Sequence, residues 1–300
     1  MSFSNEVKRE LCKNVNTDVN LLRSELYAML LLSKTFSSEK IVFKTENRNT
    51  VGRFVSLLSM LFNPIVEKIE PKGNKRNFIV RIIDSNESRK IFEFYGHDDK
   101  ELSLRVNRAF VDSEDEIRAF ASGAFLASGS VTEPNKDYHL EFVISKRNLA
   151  LDICHIINEI PETNINIKMH ERNGSFMAYL KDSEKITDFL AFIGAYNCAM
   201  EIMGTKALKQ IRNQVNRKAN SEIANIERQS KAYIVQSKAI NKLMDNGKFN
   251  FLSDDLKEIA KIRLENPDMS LKELGELLNP PLSRSGVNHR LEKIIKIASE

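Results

Sequence analysis

Residues 283–296 space hydrogen-bond donors as a helix that meets a polyanion would. At 3.6 residues per turn, Ser285, Gly286, His289, Glu292, Lys293 and Lys296 share one side, with Asn288 and Arg290 on its flanks. Arg and Lys donate to guanine edges or phosphates, and Asn pairs with adenine. Ser283, Ser285 and Gly286 are short enough to let a backbone approach, and Arg284 adds a cation beside them. Ser270 and Lys272 supply a second, smaller set of donors just upstream. This is chemistry of recognition, in which no bond is broken.

Side chains suited to other chemistry are sparse. The three cysteines (Cys12, Cys154 and Cys198) stand far apart, and the five histidines have no metal-ligand spacing. No zinc site, disulfide framework or cofactor is expected, and the cysteine usage fits a reducing cytoplasm. The apolar runs at 27–32 and 119–127 fall short of the ~20 residues of a membrane helix. The opening Met1-Ser2-Phe3-Ser4-Asn5-Glu6 has no apolar stretch of the secretory kind. With 300 residues, 42% hydrophobic and 29% charged, the chain is globular and long enough for two or three domains.

Charge is uneven. The net value is +4, yet residues 1–200 carry 27 Lys+Arg against 28 Asp+Glu, and residues 201–300 carry 18 against 13. Within 204–248 the ratio is 10 to 3. Such a block is either a solvated helix face or a phosphate-contacting surface.

The elements that must position the donors come next. Ser253 is a candidate N-cap, with Asp254 and Asp255 in the first turn where the helix dipole favours them. Leu256, Ile259, Ala260 and Leu264 form its stripe, and Asn266-Pro267 ends it. Ser270-Leu271-Lys272-Glu273 is a capping box, followed by Leu274 and Leu278 before Asn279-Pro280-Pro281. Ser283 opens a third helix with Val287, Leu291, Ile294, Ile295 and Ala298 on its inner face. Two helices joined by a short turn, the second with an outward polar-basic face, make a helix-turn-helix.

The first two hundred residues repeat one α-β-α-β-β series. Helices are expected at 22–33 and 50–62, a strand at 41–45, and a hairpin of 65–70 with 77–83 around Pro71-Lys72-Gly73-Asn74. The second copy has a helix capped by Ser113-Glu114-Asp115-Glu116 and running to Ser128, a strand at 139–145 and a helix at 148–160. Its hairpin, 165–170 with 176–181, turns at Asn173-Gly174, where both residues tolerate positive φ. Gly123 and Ala127, flanked by Ser122, Ala124 and Ser128, let two helix backbones meet, which predicts an interface between the lobes.

Ser122-Gly123-Ala124-Phe125-Leu126-Ala127-Ser128-Gly129-Ser130 resembles a degenerate LAGLIDADG motif, and residues 26–34 occupy the matching place in the first lobe. In homing endonucleases of that kind the eighth motif position of each lobe carries a metal-binding acid. Here those positions are Ser33 and Ser128, whose hydroxyls lack the charge that holds a hard divalent cation. The resemblance therefore implies a scaffold without catalytic residues or metal. The whole chain is similar to the WhiA family of bacterial regulators. The opening Met1-Ser2-Phe3-Ser4 with Val7-Lys8-Arg9-Glu10-Leu11 is similar to that family's start. Asn216-Arg217-Lys218-Ala219-Asn220-Ser221-Glu222-Ile223-Ala224-Asn225 resembles its N-R-x-x-N-C-E-x-A-N signature, with Ser221 in place of cysteine. The stretches from Ser270 and from Ser283 resemble its helix-turn-helix.

The resemblance implies an α+β protein: a two-lobed LAGLIDADG-like domain (residues 1–105 and 106–200), a basic helical linker (201–250) and an all-α helix-turn-helix (251–300). It also implies a DNA-binding protein of cell division, chromosome segregation and, in some bacteria, sporulation transcription, located in the cytoplasm at the nucleoid. The expected partner is double-stranded DNA, with other transcription or division proteins docking on the first domain and no membrane. Asn216, Arg217, Asn220 and Asn225 read either as a capped junction or as a polar hinge or auxiliary DNA contact. Two other functions compete. One is a nucleoid protein of low sequence preference; the other is an endonuclease with displaced acids at Glu25, Glu116 or Glu133.

Overall fold

A computed structural model describes residues 2–73, 76–161 and 163–300. Met1 of the opening motif and Asn74 of the first expected hairpin turn lie outside the described residues. The chain divides into two compact units, Met1–Leu208 and Lys209–Glu300.

The first unit opens with α1 (Phe3–Leu11), which buries Phe3, Val7 and Leu11 at fourfold spacing. One series then occurs twice. The first lobe is α2 (Val19–Leu31), β1 (Thr35–Phe36), β2 (Ile41–Thr45), α3 (Arg48–Leu61), β3 (Val66–Ile69), β4 (Phe78–Ile82) and α4 (Ser85–Phe94). The second is α5 (Glu114–Ser128), β5 (Gly129–Val131), β6 (Leu140–Ile144), α6 (Arg147–Asn158), β7 (Lys168–Arg172), β8 (Ser175–Leu180) and α7 (Ser183–Phe192). The sheets are antiparallel with matching orders, β1-β2-β4-β3 and β5-β6-β8-β7. Phe43 pairs with Val80 and Phe142 with Ala178, all buried, so the two strands predicted as equivalents occupy equivalent registers.

Each lobe therefore has two elements more than the α-β-α-β-β series read from the sequence. The short strands β1 and β5 are two and three residues long, too brief for an alternating pattern to show. The closing helices α4 and α7 are capped by Asp84 and Asp182, whose carboxylates accept from the Asn86 and Glu184 amides at 2.8 Å. Helix α2 also stops earlier than expected, so Ser33 lies just beyond its end.

Helices α2 and α5 form the spine between the lobes, and Gly123 is the reason they fit. A Cβ there would stand 2.2 Å from the Glu25 carbonyl oxygen and 3.1 Å from Ala28 Cβ. The small-residue motif is thus a packing device. Around it runs one continuous apolar core that includes Leu26, Met29, Phe120 and Phe125. Among the described residues no helix is long and apolar enough to cross a membrane.

Helix α8 (Tyr196–Asp245) runs for 50 residues. Its start is satisfied from α1, where the Glu10 carboxylate accepts from the Asn197 and Cys198 amides at 2.8 and 3.1 Å. In the second unit its last turns bury Gln236, Ala239, Ile240 and Leu243 against α9 (Asp254–Glu265), α10 (Leu271–Glu276) and α11 (Arg284–Ser299). The stripes expected of these helices supply that core: Leu256, Ile259 and Ala260, then Leu274 and Leu278, then Val287, Leu291, Ile294 and Ala298. Ile295 and Leu264 are only partly buried at its edge.

Candidate nucleic-acid interface

Helix α10 has only six residues, so propensity alone cannot hold it. It is held at both ends. Ser270 Oγ accepts from the Glu273 amide at 3.4 Å, while Glu273 returns a carboxylate oxygen to the Ser270 amide at 2.7 Å. That amide bond is the main reason the Glu273 carboxyl lies below its ordinary pKa. Beyond the helix, Leu282 donates its amide to Gly275 O at 2.9 Å. A Cβ on Gly275 would sit 2.2 Å from Leu282 O, so only glycine permits this fold-back of the turn onto α10.

The turn leads into α11 through Ser283, whose Oγ accepts from the Gly286 amide at 3.3 Å and meets Ser285 Oγ at 2.9 Å. With Val287, Leu291, Ile294 and Ala298 buried, the opposite face is fixed toward solvent. Ser285, His289, Glu292, Lys293 and Lys296 are exposed there, and Ser283 and Arg284 are exposed at the start of the helix. Lys272 is exposed on α10, and Ser270 is half-buried in its cap.

Two of the expected donors are already engaged. Arg290 is partly covered and reaches back to α9, with Nε 3.4 Å from an Asp255 carboxylate oxygen and a terminal nitrogen 3.5 Å from Asp255 O. Asn288 donates to Glu292 at 2.8 Å along the same helix. Ser253 occupies the N-cap of α9 without a side-chain cap bond. Its hydroxyl instead meets Asp255, and this bond, ahead of the Arg290 charge, lowers the Asp255 carboxyl.

Sequence reasoning missed Arg263. It is 2% exposed, yet it is an arginine in the middle of a core. Nε donates to Gln236 Oε1 at 2.9 Å, and a terminal nitrogen donates to Met269 O at 2.7 Å. The guanidinium lies 5.0 Å from the Tyr233 ring centroid. It ties α8 to the turn just before α10. Its sequence signal was a cation at i+7 from Leu256, inside the stripe of Leu256, Ile259 and Ala260.

The signature residues Asn216, Arg217, Asn220 and Asn225 are all exposed along α8, inside an unbroken helix. No capped junction occurs at that point, so that reading of the segment is corrected.

The two serines that the resemblance sets at the acid positions are equally plain. Ser33 Oγ donates to Met29 O at 2.8 Å and Ser128 Oγ donates to Ala124 O at 3.3 Å, each one turn back. The three displaced acids have other work. Glu25 is buried in a bidentate pair with Arg53 at 2.8 and 2.6 Å. Glu116 closes the capping box at the start of α5, the end remote from Ser128, and its amide bonds hold its carboxyl below the ordinary range. Glu133 pairs with Lys136 at 3.1 Å.

Comparison with known proteins agrees with this geometry. A WhiA C-terminal HTH domain model matches residues 215–298, and a WhiA LAGLIDADG-like domain model matches residues 117–212. A "Probable cell division protein WhiA" of Clostridium beijerinckii is 38% identical over 313 aligned positions, covering all of this chain and 98% of that protein. The chain belongs to the WhiA family. Crystallographic WhiA structures give the same architecture. The full-length DUF199/WhiA of Thermotoga maritima has a TM-score of 0.62 at 26% identity, over 100% of this chain and 98% of that one. The isolated N-terminal LAGLIDADG domain of DUF199/WhiA has a TM-score of 0.51 at 24% identity, over 64% of this chain and 90% of that one, and shares its fold. The α+β class, with a LAGLIDADG-like domain ahead of a helical helix-turn-helix region, is the WhiA arrangement. The helix-turn-helix makes the chain a DNA-binding protein of a family named for cell division.

Proposed function

We propose that the chain is a non-enzymatic, sequence-selective DNA-binding regulator that acts on transcription in cell division and chromosome segregation. One observation carries this reading: α11 buries one face through Val287, Leu291, Ile294 and Ala298 and turns Ser285, His289, Lys293 and Lys296 to solvent, with Arg284 exposed at its Ser283-capped start. Such a helix enters the major groove with its first residues at base edges, and its later lysines meet phosphate. Arg290 plays a supporting part, because its bond to Asp255 sets how α11 sits on α9. Domain limits follow the functional division, with recognition in residues 251–300, a basic linker in 201–250 and the paired lobes before them.

The lobes are proposed to be without nuclease activity and to dock other transcription or division proteins. Their near-neutral charge, 27 cations against 28 anions in residues 1–200, suits a protein surface better than an independent grip on duplex. A cytoplasmic location at the nucleoid follows from this reading.

The test is a binding titration on a pool of random duplexes with recovery of the selected sites. Wild type should enrich a defined site. Lys293→Ala with Lys296→Ala should lower affinity for all duplexes and flatten the salt dependence by about two counterions. His289→Ala should change the enriched site. Recovery of an unenriched pool would favour the second reading, a low-specificity nucleoid protein. Residues 211–220 of α8 give that alternative its support, since all are exposed and include Arg212, Arg217 and Lys218.

A further inference from the structure

Asn225 and Arg228 lie one turn apart on α8, on a single face. Both are exposed on the helix and lie outside the α10–α11 pair, in the part of α8 that the HTH domain model covers. They form one wall of a cavity of about 440 Å³ whose other walls come from α9, α10 and the start of α11 in the same unit. Arg263 lies at its inner side, and Ser270, Lys272 and Arg284 close it from the helix-turn-helix. Four cations line it, and no carboxylate does. Asp268 is the acid whose charge reaches Arg263. Among the described residues Arg228 and Arg284 take part in no ion pair, and Lys272 has only a 3.9 Å approach to Glu276 on the open surface.

A concentration of like charge raises the free energy of the folded chain unless an anion relieves it. Arg263 makes the arrangement durable, because its bonds to Gln236 and Met269 O lock the α8 wall to the turn before α10. The cavity is also continuous with the recognition surface. A second cleft, of about 480 Å³, is lined by Leu271, Ser283, Arg284, Ser285 and Asn288, and it shares Leu271 and Arg284 with the first. The base-reading start of α11 and the cationic cavity are therefore two parts of one trough.

We infer that this cavity is a phosphate-binding site that takes a backbone phosphodiester of bound DNA, and that α8, through Asn225 and Arg228, is part of the DNA-binding surface. The inference rests on the proposed function and extends it from the helix-turn-helix to the long helix. Arg228 and Arg284 supply the charge from opposite walls, Asn225 and Ser270 supply neutral donors, and buried Arg263 holds the walls together. A phosphate contact positions the protein without reading sequence. This gives the signature segment around Asn225 a role as a clamp.

The test uses the full chain, a labelled random-sequence duplex and a salt series, with Arg228→Gln, Arg228→Lys and, as the recognition control, Lys293→Ala with Lys296→Ala. Arg228 is exposed, so a matched thermal midpoint checks that the fold is kept. Arg228→Gln should weaken binding five- to tenfold, lower the salt slope by about one and leave the selected base preference unchanged, with Arg228→Lys recovering part of the loss. Unchanged affinity and slope in Arg228→Gln, beside a weakened lysine control, would overturn the inference and leave the proposed function standing. Wild type that fails to bind duplex at low salt would overturn both. A parallel arm titrates inorganic phosphate against the thermal midpoint. If phosphate stabilises wild type and not Arg228→Gln while the duplex salt slope is equal in the two, the site belongs to a free anion and the DNA assignment falls.

Discussion

Gly123 and Gly275 solve the same steric problem in different units. Each lets a backbone come to where a Cβ would be 2.2 Å from a carbonyl oxygen, Glu25 O in one case and Leu282 O in the other. Gly123→Ala should therefore force α2 and α5 apart and cost about 1–3 kcal/mol. Gly204 is the internal control, since nothing lies within 4 Å of its added Cβ in a helix interior. Gly204→Ala should gain about 0.5–1 kcal/mol. Urea denaturation of the full chain measures both, and equal midpoints for the two variants would refute the steric account. Arg290 poses the opposite question, because its cation faces both the groove and α9. Its Asp255 contact predicts that Arg290→Ala lowers stability by up to about 1 kcal/mol while weakening DNA binding less than Lys293→Ala. A larger binding loss from Arg290→Ala at unchanged thermal midpoint would show that the guanidinium leaves Asp255 for DNA. Spacing put Arg290 on the flank of α11 correctly, but an ion pair across 35 residues has no local pattern from which to read it. The same holds for Glu25, which looked available to a metal until Arg53 was seen to hold both its oxygens.

At the scale of elements, what was legible was what local chemistry decides. The capping boxes at Ser113 and Ser270 form with the partners named from sequence, and Asn173-Gly174 turns its hairpin with φ of 52° and 72°. Strands β1 and β5 escaped because pairing with β2 and β6, not a pattern of their own, makes them strands. The segment expected to be helical over 201–250 lies almost wholly in α8, whose charged middle turns lack a stripe facing a core, so helical continuity there depends on propensity and on both ends being anchored. The cavity at Asn225 was illegible for a different reason: the α8 wall lies about 30 to 60 residues along the chain from the others, to which a buried arginine ties it. Dependence of α10 on its cap gives a pH prediction. Glu273 has a folded pKa below its ordinary 4.5, so its contribution is complete above that value and is lost as pH falls through the lowered one. The second unit should thus lose helicity on acidification before its apolar core requires it. Glu273→Gln should show a smaller change in thermal midpoint between pH 6 and pH 3 than wild type. An identical pH dependence in the two proteins would remove the cap from the account.

For the whole molecule, the question is what an endonuclease-like scaffold does once its acids are gone. The spine is intact, since Gly123 still seats α5 on Glu25 and Ala28. The reacting positions are not, since Ser33 and Ser128 turn their hydroxyls back onto Met29 O and Ala124 O. A neutral hydroxyl already donating to a carbonyl four residues back neither gathers a divalent cation nor lowers the pKa of a water. The remaining candidate acids are tied to Arg53, to the α5 amides and to Lys136. The expected outcome is therefore binding without scission. Supercoiled plasmid incubated with the full chain at low salt should be retarded on a gel and should remain supercoiled through hours in millimolar Mg²⁺ or Mn²⁺. Raising the salt should release the plasmid uncut, because the grip is counterion release at cationic side chains and not a covalent or metal-bridged contact. Linear product that appears with metal and disappears in Glu133→Gln or Glu25→Gln would restore the enzymatic reading, and would mean that one of these ion pairs opens when duplex is bound. Nicking that survives both substitutions, and also survives further purification, would place the reacting acid elsewhere in the lobes.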